Sequence, residues 1–278
     1  MPQVVANGLS ENWLFKHCGD MHWQGICQAL GMQSGAICDE AGGRLYPTFV
    51  AISLRSTHPL AHIQENDELD AKIDLSNYGR SFFCSNVSVA GKDMVTKLEM
   101  ITAFASRSTA GKNALRKSNP PVAVVYGCTE LTEPPALLDQ AKRLRKNDTA
   151  DLVVLDRKVG TDRTGLNLTA AYEPSPYIDF NGANLLYYAA YPTICDSMER
   201  LLIRKHGLAD LKEDWCLETS TMARDVYYYR NLDIGDTVVV RINRFEQADA
   251  RFYLSTTLLS EKDGLPIAEV FTLKARLT

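Results

Sequence analysis

Asp67-Glu68-Leu69-Asp70-Ala71-Lys72-Ile73 lies over Asp236-Thr237-Val238-Val239-Val240-Arg241-Ile242 at a displacement of 169 residues. Each stretch leaves a polar turn and enters a short run of strand character. With small shifts, Ser81-Phe82-Phe83-Cys84 meets Arg251-Phe252-Tyr253-Leu254, and the Gly91-Lys92-Asp93 turn meets Lys262-Asp263-Gly264. Working outward, strands are expected over 45–54, 69–75, 81–89 and 94–106, and again over 215–229, 237–245, 251–260 and 266–277. The order of elements is the same in both halves, and a repeat on this scale governs the fold. Chance convergence of two unrelated meanders is the competing reading.

A helix precedes each meander. Gly19-Asp20 reads as the entry to the first, with Asp20 as N-cap, Met21 to Leu30 as its body and Gly31 as its stop. The apolar positions Trp23, Ile26, Cys27 and Leu30 make one buried stripe. The second runs from Asn181 through Met198 and Leu202 to His206, with Gly207 at C′. Residues 118–176 differ: Pro120-Pro121, Pro134-Pro135, Pro174 and Pro176 punctuate them, and only 134–146 reads as a short surface helix. The organisation expected is therefore α+β, with a first repeat over 1–117, a connector over 118–175 and a second repeat over 176–278. One helix cannot cover a curved sheet at both ends, but two copies side by side can share one continuous sheet with both helices wrapped inside. That is a double hotdog.

The bulk numbers are those of a globular chain: 278 residues, 45% hydrophobic, 23% charged. A net charge of −4 argues against a general nucleic-acid binder. No apolar run is long enough to span a bilayer, and Met1 to Ser10 lacks the pattern of a secretory signal. The seven cysteines form no C-x-x-C pair. That points to thiols in a reducing cytoplasm, with no disulfide framework and no metal site.

Tyr177 to Pro192 carries the chemistry. Asn181-Gly182 reads as a tight turn into a helix start, where uncovered N–H groups and the helix dipole favour negative charge. The N–H groups at Gly182 and Ala183, and those at Gly19 and Asp20, are candidates to hold a thioester oxygen as it becomes an oxyanion or enolate. Asp179, Asn184 and Asp20 either touch substrate or cap their helices. Cys18, placed near a helix start, is a weaker candidate as nucleophile. His17 with Asp179 is the one acid–base pair a dehydratase reading offers.

These motifs resemble the bifunctional acyltransferase/decarboxylases of the leinamycin polyketide pathway and their relatives. The residues concerned are Leu14-Phe15, Gly19-Asp20 and Trp23; Tyr46, Phe49 and Arg55; Asp179, Asn181-Gly182, the run Leu185 to Tyr191, and Asp196; and Asn231-Leu232-Asp233. The resemblance implies the double hotdog fold and decarboxylation of malonyl-CoA or methylmalonyl-CoA. It also implies transfer of the acyl group to the phosphopantetheine of an acyl carrier protein. The substrates are then acyl-CoA and the carrier protein, with no cofactor, and the assembly a homodimer. The family's catalytic tyrosine falls on Tyr46, although Pro47-Thr48 departs from the family's aliphatic residues there; Tyr78 is the other candidate. Arg143, Arg145 and Lys146, beside Lys142, together with Arg204, would receive an acidic carrier protein or CoA phosphates. The alternatives are a double hotdog thioesterase or dehydratase, and a non-catalytic carrier-protein binding module.

Overall fold

The structure is a computed structural model that describes residues 3–107, 115–117, 120–160 and 165–277. Helix α1 spans Glu11–Leu30, and Ser10 caps it by accepting from the Trp13 N–H. Gly31, in the left-handed region at φ 62°, ends it. The first meander follows as β1 (Tyr46–Ser56), β2 (Asp70–Tyr78), β3 (Phe82–Gly91) and β4 (Met94–Arg107). The short strand β5 (Thr129–Leu131), helix α2 (Ala136–Arg145) and strand β6 (Leu168–Tyr172) come next. Helix α3 (Ala190–His206) and the one-turn α4 (Trp215–Glu218) lead into β7 (Thr219–Tyr228), β8 (Val238–Ala248), β9 (Arg251–Ser260) and β10 (Pro266–Arg276).

The ten labelled strands run β6-β8-β9-β10-β7-β1-β4-β3-β2-β5 through one sheet, and Leu115–Lys117 adds an eleventh beside β4. Each half therefore has the same internal order, and the two first strands, β1 and β7, pair antiparallel at the seam. The displacement of 169 read from the sequence carries the β2–β3 partners Ile73 and Val87 onto Ile242 and Thr256, which are partners in β8–β9. A single apolar core joins Leu14, Phe15 and Cys18 of α1, Tyr191, Ile194 and Cys195 of α3, and inward residues of both meanders.

Four expectations are corrected. Gly19 and Asp20 are not a helix entry but lie mid-helix, because the Ser10 hydroxyl supplies the cap a full two turns earlier. The second helix begins at Ala190, not at Asn181. Its expected first residues form a turn in which the N–H groups of Asn181, Ala183, Asn184 and Leu185 are taken within the turn itself. Residues 215–218 are helical, capped by the Asp214 side chain, so the strand begins at Thr219. The connector is not a bare loop. Its β6 extends the second meander by pairing with β8, and α2 buries Leu137, Leu138, Ala141 and Leu144 on the outer face of the seam against Ala51, Tyr227 and Phe271.

His22 of α1 is fully buried, with Nδ1 2.8 Å from Ser85 Oγ and Nε2 3.0 Å from Thr102 Oγ1. Burial pushes its pKa down to about 3. As pH falls, the unfolded chain takes this proton first. The corresponding stability is present above the unfolded value of about 6.5 and is lost progressively as pH falls toward 3. The limiting slope is about 1.4 kcal/mol per pH unit. Gln in place of His22 keeps hydrogen-bonding capacity but cannot titrate. Urea unfolding of His22→Gln at pH 7, 6, 5 and 4 is expected to show a shallower acid decline than the parent; parallel declines would contradict this.

Candidate active site

A cavity of ≈ 1080 Å³ opens where α1 faces the segment leading into α3. One wall comes from α1 (Gly19, Asp20, Trp23, Gln24), from the start of β1 (Pro47 to Val50) and from Ala103 to Ala105 of β4. The facing wall belongs to the second half: Asn181, Leu185 to Tyr188, Tyr191 and the stretch from Tyr228 to Asp233. Leu138, Ala141, Lys142 and Arg145 of α2 add to the lining, as do Asp236 and Asp263 of the second half. Both halves thus contribute to one space.

Its inner surface is aromatic. Phe49 stands 4.2 Å from Tyr188 and Tyr191 stands 5.1 Å from Tyr228, centroid to centroid. Every hydroxyl among these rings donates to a backbone carbonyl: Tyr188 to Phe15, Tyr228 to Tyr188 and Tyr191 to Arg230, each at 3.1 Å. Burial lifts the Tyr188 and Tyr228 phenols far above their ordinary range, so both stay neutral. These rings form a fixed apolar wall rather than a set of acids. Tyr188 also explains Gly19: a Cβ there would stand 1.8 Å from the Tyr188 hydroxyl.

The polar chemistry lies on α1. Asp20 and Gln24, four residues apart, share one helix face, and Gln24 Nε2 donates to Asp20 Oδ2 at 2.8 Å. Both side chains are open to solvent and line the cavity. The carboxylate keeps its other oxygen for a water, and the amide keeps a second N–H for a carbonyl oxygen. Asp233, on the facing wall, has its Oδ1 buried with no hydrogen-bond partner. That atom is sealed from solvent, whereas the Asp20 carboxylate is exposed; of the other lining carboxylates, Asp236 accepts from the Asp233 N–H at 3.1 Å and Asp263 pairs with Arg230 at 2.8 Å.

The other candidates are placed as follows. Gly19 sits inside a helix, where its N–H serves the helix ladder rather than a ligand. The Ala183 N–H donates to Asn181 Oδ1 at 3.0 Å, as does the Leu185 N–H at 3.1 Å. Gly182 and Asn184 are exposed in that turn, and Asn184 is left-handed at φ 58°. The Asn181 turn is therefore closed upon itself and stands outside α3. Asp179 is buried and accepts from the Tyr172 hydroxyl at 2.9 Å and the Ser175 N–H at 2.8 Å, a structural role. His17 stacks on Trp13 at the surface, so it and Asp179 are each engaged elsewhere. Cys18 is buried mid-helix, and burial pushes its thiol up to about 12, the reverse of activation.

Tyr46 is half-buried at the start of β1, with the Arg44 and Arg107 guanidiniums over its ring, and is not among the residues lining the cavity. Tyr78 lies at the end of β2 against Phe82. Of the basic residues, Arg145 reaches the cavity but donates to the Tyr228 and Tyr229 carbonyls, while Arg143 is paired with Asp148 and Asp151. Lys146 is exposed at the end of α2, and Arg204 is exposed in the last turn of α3. Among the described residues, no three His, Cys, Asp or Glu side chains gather as a metal site, and no helix is long and apolar enough to cross a membrane. Gln24 was not picked out from the sequence; its i, i+4 spacing from Asp20 on an exposed helix face was the available signal.

No family model matches the chain, and no curated protein matches it in sequence. Solved structures do match in shape. The chain is similar to a putative oleoyl thioesterase from Lactobacillus plantarum, with a TM-score of 0.68 at 11% identity over 98% of this chain and 90% of that one. It is similar to a 12:0-ACP thioesterase from Umbellularia californica, with a TM-score of 0.61 at 9% identity over 100% and 94%. An acyl-ACP thioesterase from Bacteroides thetaiotaomicron gives a TM-score of 0.56 at 9% identity over 96% and 90%. At these identities the likeness establishes the fold: this is a hotdog-fold chain.

Proposed function

We propose that this double hotdog chain hydrolyses acyl thioesters in the cavity between its halves, with Asp20 as the general base. The observation that carries this reading is the Asp20–Gln24 pair, open to the cavity opposite the aromatic wall. The acyl group lies along the rings. Asp20 takes a proton from water as the water oxygen adds to the thioester carbonyl. The free N–H of Gln24 meets the developing oxyanion. The C–S bond then breaks, and the proton held by Asp20 passes to the departing thiolate. That the similar structures bear the names of thioesterases supports a thioester substrate.

A second reading is decarboxylation of a malonyl-type thioester with transfer of the acyl group to a carrier protein. It is favoured by Lys142, a lining cation that would hold a free carboxylate. One experiment separates the two. The protein is incubated with acetyl-, hexanoyl-, malonyl- and methylmalonyl-CoA, with and without a phosphopantetheinylated carrier protein, and the products are read by intact mass. Hydrolysis leaves free acid and CoA; transfer adds the acyl mass to the carrier; decarboxylation removes CO₂. Tyr46→Phe is expected to keep thioester hydrolysis within about threefold, because Tyr46 stands outside the cavity. Loss of acyl transfer in that variant would instead support the second reading.

A further inference from the structure

We propose that Arg44 and Arg107, stacked on Tyr46, form a phosphate-binding rim for the phosphorylated thiol carrier of the substrate, an inference that rests on the thioester reading above. The Arg44 and Arg107 guanidinium carbons lie 4.8 and 5.6 Å from the centroid of the Tyr46 ring. One ring thus carries two guanidinium groups, each within cation–π range. Among the described residues neither forms an ion pair, and both are exposed. The neighbouring cations are committed. Arg145 is held by two backbone carbonyls, and Arg230 pairs with Asp263 at 2.8 Å.

The position fits a substrate that reaches into the cavity from this end. Tyr46 is the ladder partner of Ala105, and Pro47, Thr48 and Ala105 all line the cavity. Arg107 also donates to the Ala183 carbonyl, in the turn whose Asn181 lines the facing wall. Arg107 therefore links the two halves beside the cavity, and Tyr46 holds Arg44 next to it. Guanidinium forks match phosphate oxygens in geometry and charge, and aromatic stacking fixes the planes from which they donate. The chemistry recognised is a phosphate monoester or diester attached to the thiol arm. It is either the phosphate that joins pantetheine to its carrier or the 3′-phosphate of CoA.

The test is steady-state kinetics of the parent and of Arg44→Gln/Arg107→Gln with one acyl group on four thiols: CoA, 3′-dephospho-CoA, 4′-phosphopantetheine and the phosphate-free N-acetylcysteamine. The expected result is a KM for acyl-CoA raised about tenfold or more with kcat little changed, and no change in kcat/KM for the N-acetylcysteamine thioester. A KM effect that persists with acyl-phosphopantetheine assigns the pantetheine phosphate. One confined to thioesters carrying the 3′-phosphate assigns that group. Arg107→Lys, which keeps a donor for Ala183 and a charge but loses the fork, is expected to fall between. An unchanged KM for acyl-CoA, or an equal loss with the N-acetylcysteamine thioester, would overturn the proposal. Calorimetric titration of CoA alone is read in parallel. If the parent turns over no thioester yet binds CoA and the double variant does not, the hydrolysis reading fails and the phosphate site stands. If the parent does not bind CoA or phosphopantetheine at all, the phosphate site fails.

Discussion

Arg224→Met is expected to lower stability by about 3–5 kcal/mol, because it strips the central cation from a buried ionic cluster and leaves Glu11 without an ion-pair partner. Arg224 on β7 is fully buried. Its Nε lies 2.7 Å from Glu11 Oε1, an ion pair rather than an aligned hydrogen bond, and its Nη2 lies 2.8 Å from Asp196 Oδ1. Lys274 of β10 reaches the same Asp196 oxygen at 3.0 Å, and the Thr221 hydroxyl donates to Glu11 Oε2 at 2.8 Å. Burial alone would raise Asp196, but Arg224 and Lys274 hold it down to about 2. Glu11 is raised by burial despite Arg224. Glu199 of α3, also raised by burial, and by Asp196, sits 2.5 Å from Thr256 Oγ1.

The cluster ties the first turn of α1 and the body of α3 to the seam strand, so its loss loosens both helices together. In a chain of this size the melting temperature is expected to drop by roughly 10 °C. Adding Glu11→Gln removes one stranded carboxylate and leaves Asp196 paired with Lys274, and the double variant is expected to recover part of the loss. Chemical denaturation of the three proteins at pH 7 is the measurement. An Arg224→Met protein as stable as its parent would contradict the account of the cluster.

Asp20→Asn is expected to reduce kcat for thioester hydrolysis by about 10²–10⁴-fold, the usual contribution of a positioned general base. The substitution keeps the size of the side chain and its contact with Gln24 but removes the proton acceptor. Because Asp20 is exposed and sits mid-helix, the fold should be insensitive to the change, with an effect on stability within about 0.5 kcal/mol. Gln24→Ala takes away both the orienting amide and the oxyanion donor, and a smaller loss of about 10–10²-fold is expected there. KM should move little in either variant, since the aromatic wall is untouched.

The sheet was legible because its information is local. Turn residues such as Gly91-Lys92-Asp93 and the strand character of residues 67–73 and 236–242 lie within short windows, and both halves repeat them. The helix starts were not legible, because what decides them is distant in sequence. Asn181-Gly182 looks like a helix cap. Yet the Leu186 N–H is taken by Asn231 Oδ1, 45 residues away, and Asn231 Nδ2 donates back to the Leu186 carbonyl. These bonds hold the chain in a turn until Ala189. Gly19-Asp20 looks like a helix entry, but Gly19 is there for Tyr188, whose hydroxyl leaves no room for a Cβ.

The same limit hid the site. Arg224 reads as an ordinary polar strand position, and only the fold brings Glu11 and Asp196 to it. Asp20 reads as a backbone donor, a cap or a substrate contact at a helix start that does not exist; the structure leaves its carboxylate exposed on the cavity wall. Gln24 gains meaning only beside that carboxylate.

The central claim is that thioester hydrolysis occurs in this cavity with Asp20 as base. The direct test is release of free thiol from hexanoyl-CoA and from the hexanoyl thioester of N-acetylcysteamine, followed by a thiol-reactive chromophore, for the parent and for Asp20→Asn. Turnover of both substrates by the parent, with a loss of at least about 10²-fold in kcat for the folded variant, is the predicted result. Parental rates in Asp20→Asn, with its fold intact by circular dichroism, would contradict it.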